Sequence, residues 1–285
     1  MSAVADTRSH YDAGRVTVIE AKRGWRALDL GELWDYRELL YFLVWRDVKI
    51  RYKQTAVGAA WVGLQPVLTS LIFTVVLGHY AHLRSNVPYM LLTLSAFIPW
   101  LLFANALTAS TKSIVENQAL VTKVYVPRVL IPLAPVLAGL VDMCVGFVVL
   151  AAAMAYYGYV PSWHIVFLPF FVLFAVDASV AVTFWLSALN VKYRDVQYAI
   201  PFLQQAWFFA TPVAYSAAIF PLSIRPWIGL NPMAGVVQGF RWTLFGNDVA
   251  QVGHLMLLSF GVTAVLLVIG LEYFRRVERS FADVV

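Results

Sequence analysis

Long uncharged stretches of apolar residues, each bounded by charged or turn-forming residues, are the main feature of the chain. About 20 apolar residues cross a bilayer as an α-helix. From residue 56 onward, six stretches fit helical spans of this kind, at residues 56–79, 88–111, 129–157, 163–189, 196–215 and 252–271. The pattern therefore predicts an all-α membrane protein with six transmembrane helices.

The segment 216–247, just before the last span, does not fit a simple helix. It is apolar and rich in aromatic residues, but Pro221, Pro226 and Pro232 interrupt it. Non-helical backbone at membrane depth is tolerated only where protein or a water-filled cavity surrounds it. We predict a re-entrant or interfacial pair of short helices here, and a seventh span is the alternative.

Ahead of the first span, residues 36–53 predict an amphipathic helix. Its apolar and aromatic stripe consists of Tyr41, Val44, Trp45, Val48 and Tyr52. Another face carries the cations Arg46, Lys49 and Lys53. Aromatic residues opposite cations are typical of a helix that lies in the headgroup plane. The helix is predicted either to anchor the chain at the cytoplasmic membrane surface or to dock a cytoplasmic partner.

The charge distribution fixes the predicted orientation. Hydrophobic residues make up 61% of the chain and charged residues only 13%, against about 25% charged residues in a soluble domain. Of the 21 Lys and Arg residues, only Arg84, Arg225 and Arg241 fall on one side of the predicted spans. Because basic residues concentrate in cytoplasmic loops, both termini are predicted in the cytoplasm. The net charge of +5 then requires no nucleic-acid partner.

Signatures of enzymes are missing from the sequence. It has no phosphate-binding loop of the form GxxxxGK[ST], no GxSxG, no HExxH and no CxxC. The single cysteine, Cys144, excludes a disulfide framework within the chain. We therefore expect no catalytic residue, cofactor site or metal site, and no ATP hydrolysis by this chain itself.

Two carboxylates, Asp142 and Asp177, lie inside predicted spans. Ionisable residues at membrane depth are costly and usually face the bundle interior or water. No Lys, Arg or His lies at helical spacing from either residue within the spans. A role in helix packing or subunit contact is therefore expected, with proton coupling as the alternative.

Aromatic residues number 43 in all, as 10 Trp, 14 Tyr and 19 Phe. Many sit at predicted helix ends, as the aromatic belts of membrane proteins do. Six lie deeper or near the interrupted segment: Trp100, Phe103, Trp185, Trp207, Phe208 and Phe209. Because aromatic faces stack on sugar rings, these six are predicted to line a glycan path, with ordinary packing as the alternative.

The loop 112–128 is the longest internal cytoplasmic connection. Its middle predicts a helix of about two turns, ended at Val126 because the residue before a proline is disfavoured in helical conformation. Such a helix can transmit a push from a soluble subunit to the spans on either side. A plain hairpin loop is the alternative.

Three runs of sequence resemble the permease subunit of bacterial type-2 ABC exporters. They are LLYFLVWRDVKIRYKQTAVGAAWVGLQP (39–66), VPYMLLTLSAFIPWLLF (87–103) and NQALVTKVYVPRVLIPLAPVLAGLVD (117–142). The branch that they resemble moves O-antigen, capsule-like and teichoic-acid polymers. The resemblance extends from about residue 30 to the C-terminus.

The resemblance implies a domain plan and a set of partners. Residues 1–30 would be a cytoplasmic arm, 31–55 the interface helix and 56–285 the transmembrane domain, with the 216–247 segment on the periplasmic side. The chain would form a homodimer in the bacterial inner membrane with two copies of an ATP-binding subunit, which alone would bind ATP and Mg²⁺. The complex would export lipid-linked polysaccharide in an O-antigen pathway for lipopolysaccharide biosynthesis.

The resemblance also assigns residues to two contacts. The coupling contact with the ATPase would involve Glu116, Asn117, Gln118, Leu120, Lys123, Tyr125 and Arg128. The interface helix would meet membrane lipids and the lipid phosphate of the substrate through Arg46, Lys49, Arg51 and Lys53.

Other functions are the alternatives. A related permease could export a lipid, a drug or another small hydrophobic molecule. A secondary transporter would commonly show internal repeats and ion sites near the midplane. An enzyme of lipid-sugar metabolism would need clustered acidic or His residues near the interface, whereas Asp142 and Asp177 lie in separate spans.

Overall fold

The computed structural model describes residues 30–53, 58–80, 87–123, 126–216, 219–221, 223–246 and 253–278, and all regular elements in these residues are helical. In chain order the α-helices are α1 (Leu30–Asp35), α2 (Arg37–Lys53), α3 (Gly58–Phe73), α4 (Tyr89–Glu116), α5 (Gln118–Lys123), α6 (Leu130–Tyr156), α7 (Leu168–Lys192), α8 (Val196–Ala210), α9 (Arg225–Ile228), α10 (Pro232–Phe245) and α11 (Gly253–Glu278). A π-helical stretch, Thr74–Tyr80, continues α3, and a 3₁₀ turn, Trp163–Phe167, precedes α7. The prediction of an all-α membrane protein is confirmed.

Five of the described helical segments are long and apolar enough to cross a membrane. They are Ala60–His79, Tyr89–Glu116, Leu130–Tyr156, Trp163–Lys192 and Gly253–Glu278. The predicted span at 196–215 is instead the 15-residue helix α8, which is about 22 Å long. It ends at Ala210, and the backbone of Thr211 is extended because Pro212 follows. The count of six spans stays a prediction.

The break between the third and fourth predicted spans lies where the sequence places it. Helix α6 ends at Tyr156, and Gly158 then takes a positive φ of 63°, a conformation that glycine adopts without steric cost. After Pro161 the chain re-enters the bundle through the 3₁₀ turn that leads into α7.

Helix α4 is the centre of the bundle, and α3 lies at its edge. Of the apolar window in α4, 72% is buried, against 17% for α3. Helix α4 packs against α3, α6, α7, α8 and α10, and α11 packs against α7. Within α8 only Ile200 is fully buried. Helices α3 and α8 therefore each leave one face open on the described bundle.

The segment before the last span contains two short helices, α9 and α10. Nearly all of α10 is buried, and two glycines form its contact face. A Cβ on Gly239 would lie 2.0 Å from ring carbons of Phe171, and a Cβ on Gly235 would lie 2.4 Å from Ser259 Cβ. This GxxxG pair lets α10 approach α7 and α11 closely. Whether the segment re-enters the membrane stays a prediction.

Candidate functional site

Helix α2 docks on the bundle along its length. Leu43 shares a buried cluster with Leu130 and Ala134 of α6. Arg51, eight residues after Leu43, forms an ion pair with Asp142, which lies eight residues after Ala134. The two helices therefore run side by side in the same direction, and α2 is fixed to the N-terminal half of α6.

The buried face of α2 overlaps the predicted stripe only in part, because the stripe residue Val48 is buried and Val44 packs beside Leu43. Tyr41 and Trp45 are exposed, whereas Leu43 and Val48 are buried, with Leu40 beside them. Packing against α6 and α5 selects the leucine-rich face. The exposed aromatic side chains remain available to membrane lipid.

The four cations assigned to lipid phosphate fall into two pairs. Arg46 donates to Asp47 and, over 2.7 Å, from Nη1 to Asn117 Oδ1, and Arg51 is engaged by Asp142. Lys49 lies over the Trp45 ring, 5.6 Å from its centroid, and Lys53 is exposed. The two lysines, rather than the two arginines, are the cations left open to an anionic headgroup.

The ion pair between Arg51 and Asp142 includes a third group. The hydroxyl of Tyr52 donates to Asp142 Oδ1 over 2.6 Å. Burial raises the pKa of Tyr52, although the Arg51 charge partly opposes this, so Tyr52 remains a proton donor. Asp142 thus has partners on another helix, as the packing prediction requires. Asp177, in contrast, is exposed on α7.

The predicted coupling residues surround α5, and the short helix predicted in this loop is confirmed. Glu116, Gln118 and Lys123 are exposed, while Leu120 packs into the cluster that joins α2 to α6. Asn117 caps α4 and accepts the hydrogen bond from Arg46. Arg128 donates to the carbonyl of Glu278 at the end of α11. Tyr125 lies outside the described residues.

Four of the six predicted path aromatics form one packed cluster. Trp100 and Phe103 are buried in α4, and their rings meet those of Phe208 and Trp207 with centroids 5.4 and 5.0 Å apart. Trp207 also donates from Nε1 to Asn231 Oδ1 over 2.8 Å, which joins α8 to α10.

The other two predicted path aromatics are exposed and lie on different helices. Phe209 is exposed on α8, and Trp185 is exposed on α7. A glycan path along all six residues stays a prediction.

Side chains of α4 and α10 donate hydrogen bonds to the non-helical stretch that follows α8. Arg241, buried in α10, donates to the carbonyls of Val213 and Tyr215 over 2.7 and 2.9 Å. Tyr89 donates to the intervening carbonyl of Ala214. Three successive carbonyls are thereby satisfied without helix.

An open cleft of about 730 Å³ lies between α3, α4 and α6, with Arg51 of α2 at its edge. Asp142 lies in its wall, together with the uncharged polar side chains Gln65, Asn105 and Thr108. The cleft was not predicted, because uncharged polar residues do not interrupt a hydropathy pattern. Carboxamides inside otherwise apolar spans are the sequence signal that could have identified it.

Comparison with known proteins identifies the family of this chain. The family described as ABC-2 type transporter matches residues 38–245. An O-antigen export system permease protein RfbA of Myxococcus xanthus is 31% identical over 255 residues, which cover 88% of this chain and 97% of that protein. An RfbA permease of Klebsiella pneumoniae is 28% identical over 259 residues, covering 90% and 97%. The chain belongs to the ABC-2 type transporter family of membrane permeases.

Proposed function

We propose that this chain is the transmembrane subunit of an ATP-driven ABC exporter that moves lipid-linked, O-antigen-like polysaccharide out of the cytoplasm. The observation that carries the proposal is similarity over nearly the whole chain to permeases named for O-antigen export. The family match and the helical bundle support the transport role. The same similarity favours a glycan over a drug or another small hydrophobic substrate.

A separate subunit, present in two copies, binds ATP and Mg²⁺ and hydrolyses the nucleotide. This assignment rests on the absence of a phosphate-binding loop from the sequence and on family membership. The partner docks on the exposed residues around α5, with Glu116, Gln118 and Lys123 foremost. Both termini and this surface face the cytoplasm, in keeping with the Lys and Arg distribution.

Movement of the ATPase subunits passes through α5 into the bundle. Two contacts support this route: Leu120 packs with α2 and α6, and Asn117 joins the end of α4 to Arg46. A displacement of α5 therefore shifts the cytoplasmic ends of α2, α4 and α6 together.

Two copies of the chain enclose the polysaccharide path. Helices α3 and α8 both pack on α4, and their open faces supply the apolar surface for this homodimer. Of the predicted path aromatics, Phe209 lies on the open face of α8. The anionic lipid end of the substrate meets Lys49 and Lys53 of α2, which are exposed.

Co-purification with the ATP-binding protein of the same export system tests the proposal. We expect a stable complex with two copies of each subunit, whose ATPase turnover in lipid rises when lipid-linked polysaccharide is added. A partner variant that cannot bind ATP is the control. A chain that purifies alone and moves its substrate without ATP would contradict the proposal.

A further inference from the structure

The side chains of Gln65 and Asn105 are exposed inside membrane-spanning helices. Gln65 lies in α3 and Asn105 in α4, about three turns from its cytoplasmic end. Neither carboxamide has a hydrogen-bond partner among the residues that the structure describes. Because an unpaired amide in hydrocarbon loses its hydrogen bonds to water without replacement, these two groups require a wet or polar environment.

Both carboxamides face the same cleft, whose shape suits a ligand. Its volume of about 730 Å³ lies within the range of about 300–1,000 Å³ for ligand sites. Thr108 adds a hydroxyl on the next turn of α4, and it also accepts a hydrogen bond from Gln204 of α8 over 2.7 Å. The polar wall therefore runs from α3 across α4 to the edge of α8.

The charge of the cleft indicates whether it suits the lipid phosphate or the sugar portion of the proposed substrate. Arg51 and Asp142 are the charged residues of its lining, and they form an ion pair with each other. Their formal charges cancel, so the cleft offers a phosphate or pyrophosphate group no net positive charge. Sugar hydroxyls, which both donate and accept hydrogen bonds, match carboxamides, a hydroxyl and a neutralised ion pair.

We infer that this cleft is an entry site for the sugar portion of the exported polymer, with Gln65 and Asn105 as its hydrogen-bonding residues. The inference rests on the proposed function and adds that the sugar portion and the lipid phosphate of the substrate contact different parts of the protein. The glycan contacts the cleft in the cytoplasmic half of the bundle, whereas the lipid phosphate does not. A few amide contacts bind each sugar weakly, which allows a polymer to enter and to move on.

Thiol labelling tests the environment of Asn105. Cys144 is the single cysteine, so Cys144→Ala provides a background for Asn105→Cys and for a control, Val265→Cys, at an exposed position of α11. In the complete exporter in lipid vesicles, a sulfonated maleimide should label Asn105→Cys at least about tenfold faster than Val265→Cys, because the reactive thiolate forms in water and not in hydrocarbon. Native lipid-linked polysaccharide should slow the labelling, and polyprenyl pyrophosphate without glycan should not.

Three outcomes of this experiment would overturn the inference. Labelling as slow as that of the control would place Asn105 in lipid. An intersubunit disulfide through Asn105→Cys on oxidation, without labelling, would place it against the second copy. Equal protection by polyprenyl pyrophosphate would assign the cleft to the phosphate end.

An export assay separates this inference from the proposed function. The shape-matched pair Gln65→Met and Asn105→Leu, combined in one chain, should lower polysaccharide export about fivefold, in line with the loss of one or two hydrogen bonds. Recovery of the assembled complex should match the wild type, and Val265→Leu should export normally. If the wild-type complex exports no polysaccharide, the proposed function fails; if it does and the double variant equals it, only the entry site fails.

Discussion

Arg51 and Asp142 show how single residues are accommodated in this bundle. Asp142 would be costly alone at membrane depth, but it accepts from Arg51 and from Tyr52, both on α2. The cost of the carboxylate is thereby offset through contact between two helices. This pair also fixes the end of α2 beside the cleft.

Removing one member of this ion pair should destabilise the protein more than removing both. Arg51→Gln or Asp142→Asn should lower the melting temperature of the purified complex, since a hydrogen bond to a charged group contributes about 1.5–3 kcal/mol. The double variant Arg51→Gln/Asp142→Asn should recover part of the loss, because it leaves no unpaired charge. Strictly additive losses in a thermal unfolding series would show that the two residues do not interact.

Substitution of Trp100 tests, at the residue scale, whether the aromatic side chains line a path for the glycan. Its side chain is buried against Phe103 and Phe208. If the packed cluster opens to form the path during transport, Trp100→Ala should lower surface polysaccharide while the complex still assembles, and so should Trp207→Ala. Phe170→Ala, on the exposed face of α7 and outside the six predicted path residues, is the control and should export normally. Unchanged export in both Trp100→Ala and Trp207→Ala would remove the stacking proposal.

At the scale of elements, α2 and α5 behave as one docked unit. Leu43 and Leu120 share a cluster, and Arg46 bridges to Asn117 with a 2.7 Å hydrogen bond. A unit of this kind transmits motion only while its members remain joined. The contact between Arg46 and Asn117 is the polar link in that unit.

Breaking this link should uncouple ATP hydrolysis from export. Arg46→Met and Asn117→Leu are each expected to lower polysaccharide export severalfold more than they lower ATPase turnover, because the coupling energy lost is about 1 kcal/mol or more. The double variant should be no worse than either single variant, since both remove the same interaction. Lys192→Met, which removes an exposed cation at the end of α7, should leave the ratio unchanged. Equal losses of export and ATPase turnover would contradict a coupling role.

Helix α10 depends on close approach at its glycines. Gly239→Ala would place a methyl group 2.0 Å from the ring of Phe171, so the helices must separate, at a cost of about 1–3 kcal/mol for overpacking. We expect lower yield and a lower melting temperature. Gly261→Ala is the matched control, because a Cβ there meets nothing within 4 Å. Equal stability of the two variants would show that α10 does not pack as described.

Much of this architecture could be predicted from apolar periodicity and turn residues. The break at Gly158 and Pro161 and the short helix α5 follow from local sequence alone. The buried face of α2 does not follow from local sequence. Its leucine and aromatic faces are both apolar, and contact with α6 decides which side chains are buried. The ion pair joins residues 91 positions apart, a distance that helical spacing cannot detect.

At the scale of the whole molecule, the bundle has a firm centre and an open edge. Helix α4 is largely enclosed, whereas α3 and α8 leave faces uncovered and the polar cleft opens beside α3. A single chain therefore supplies part of a path rather than a closed channel. The proposed exporter requires a second copy to complete the path and an ATPase to drive it.

The most direct test of this account is polysaccharide transport in sealed vesicles that contain the permease and its ATP-binding subunit. The account predicts that lipid-linked polysaccharide supplied at the ATPase side appears on the opposite side only when both subunits and hydrolysable ATP are present. Transport of the polymer by the permease alone, or no transport by a complex that hydrolyses ATP, would contradict it.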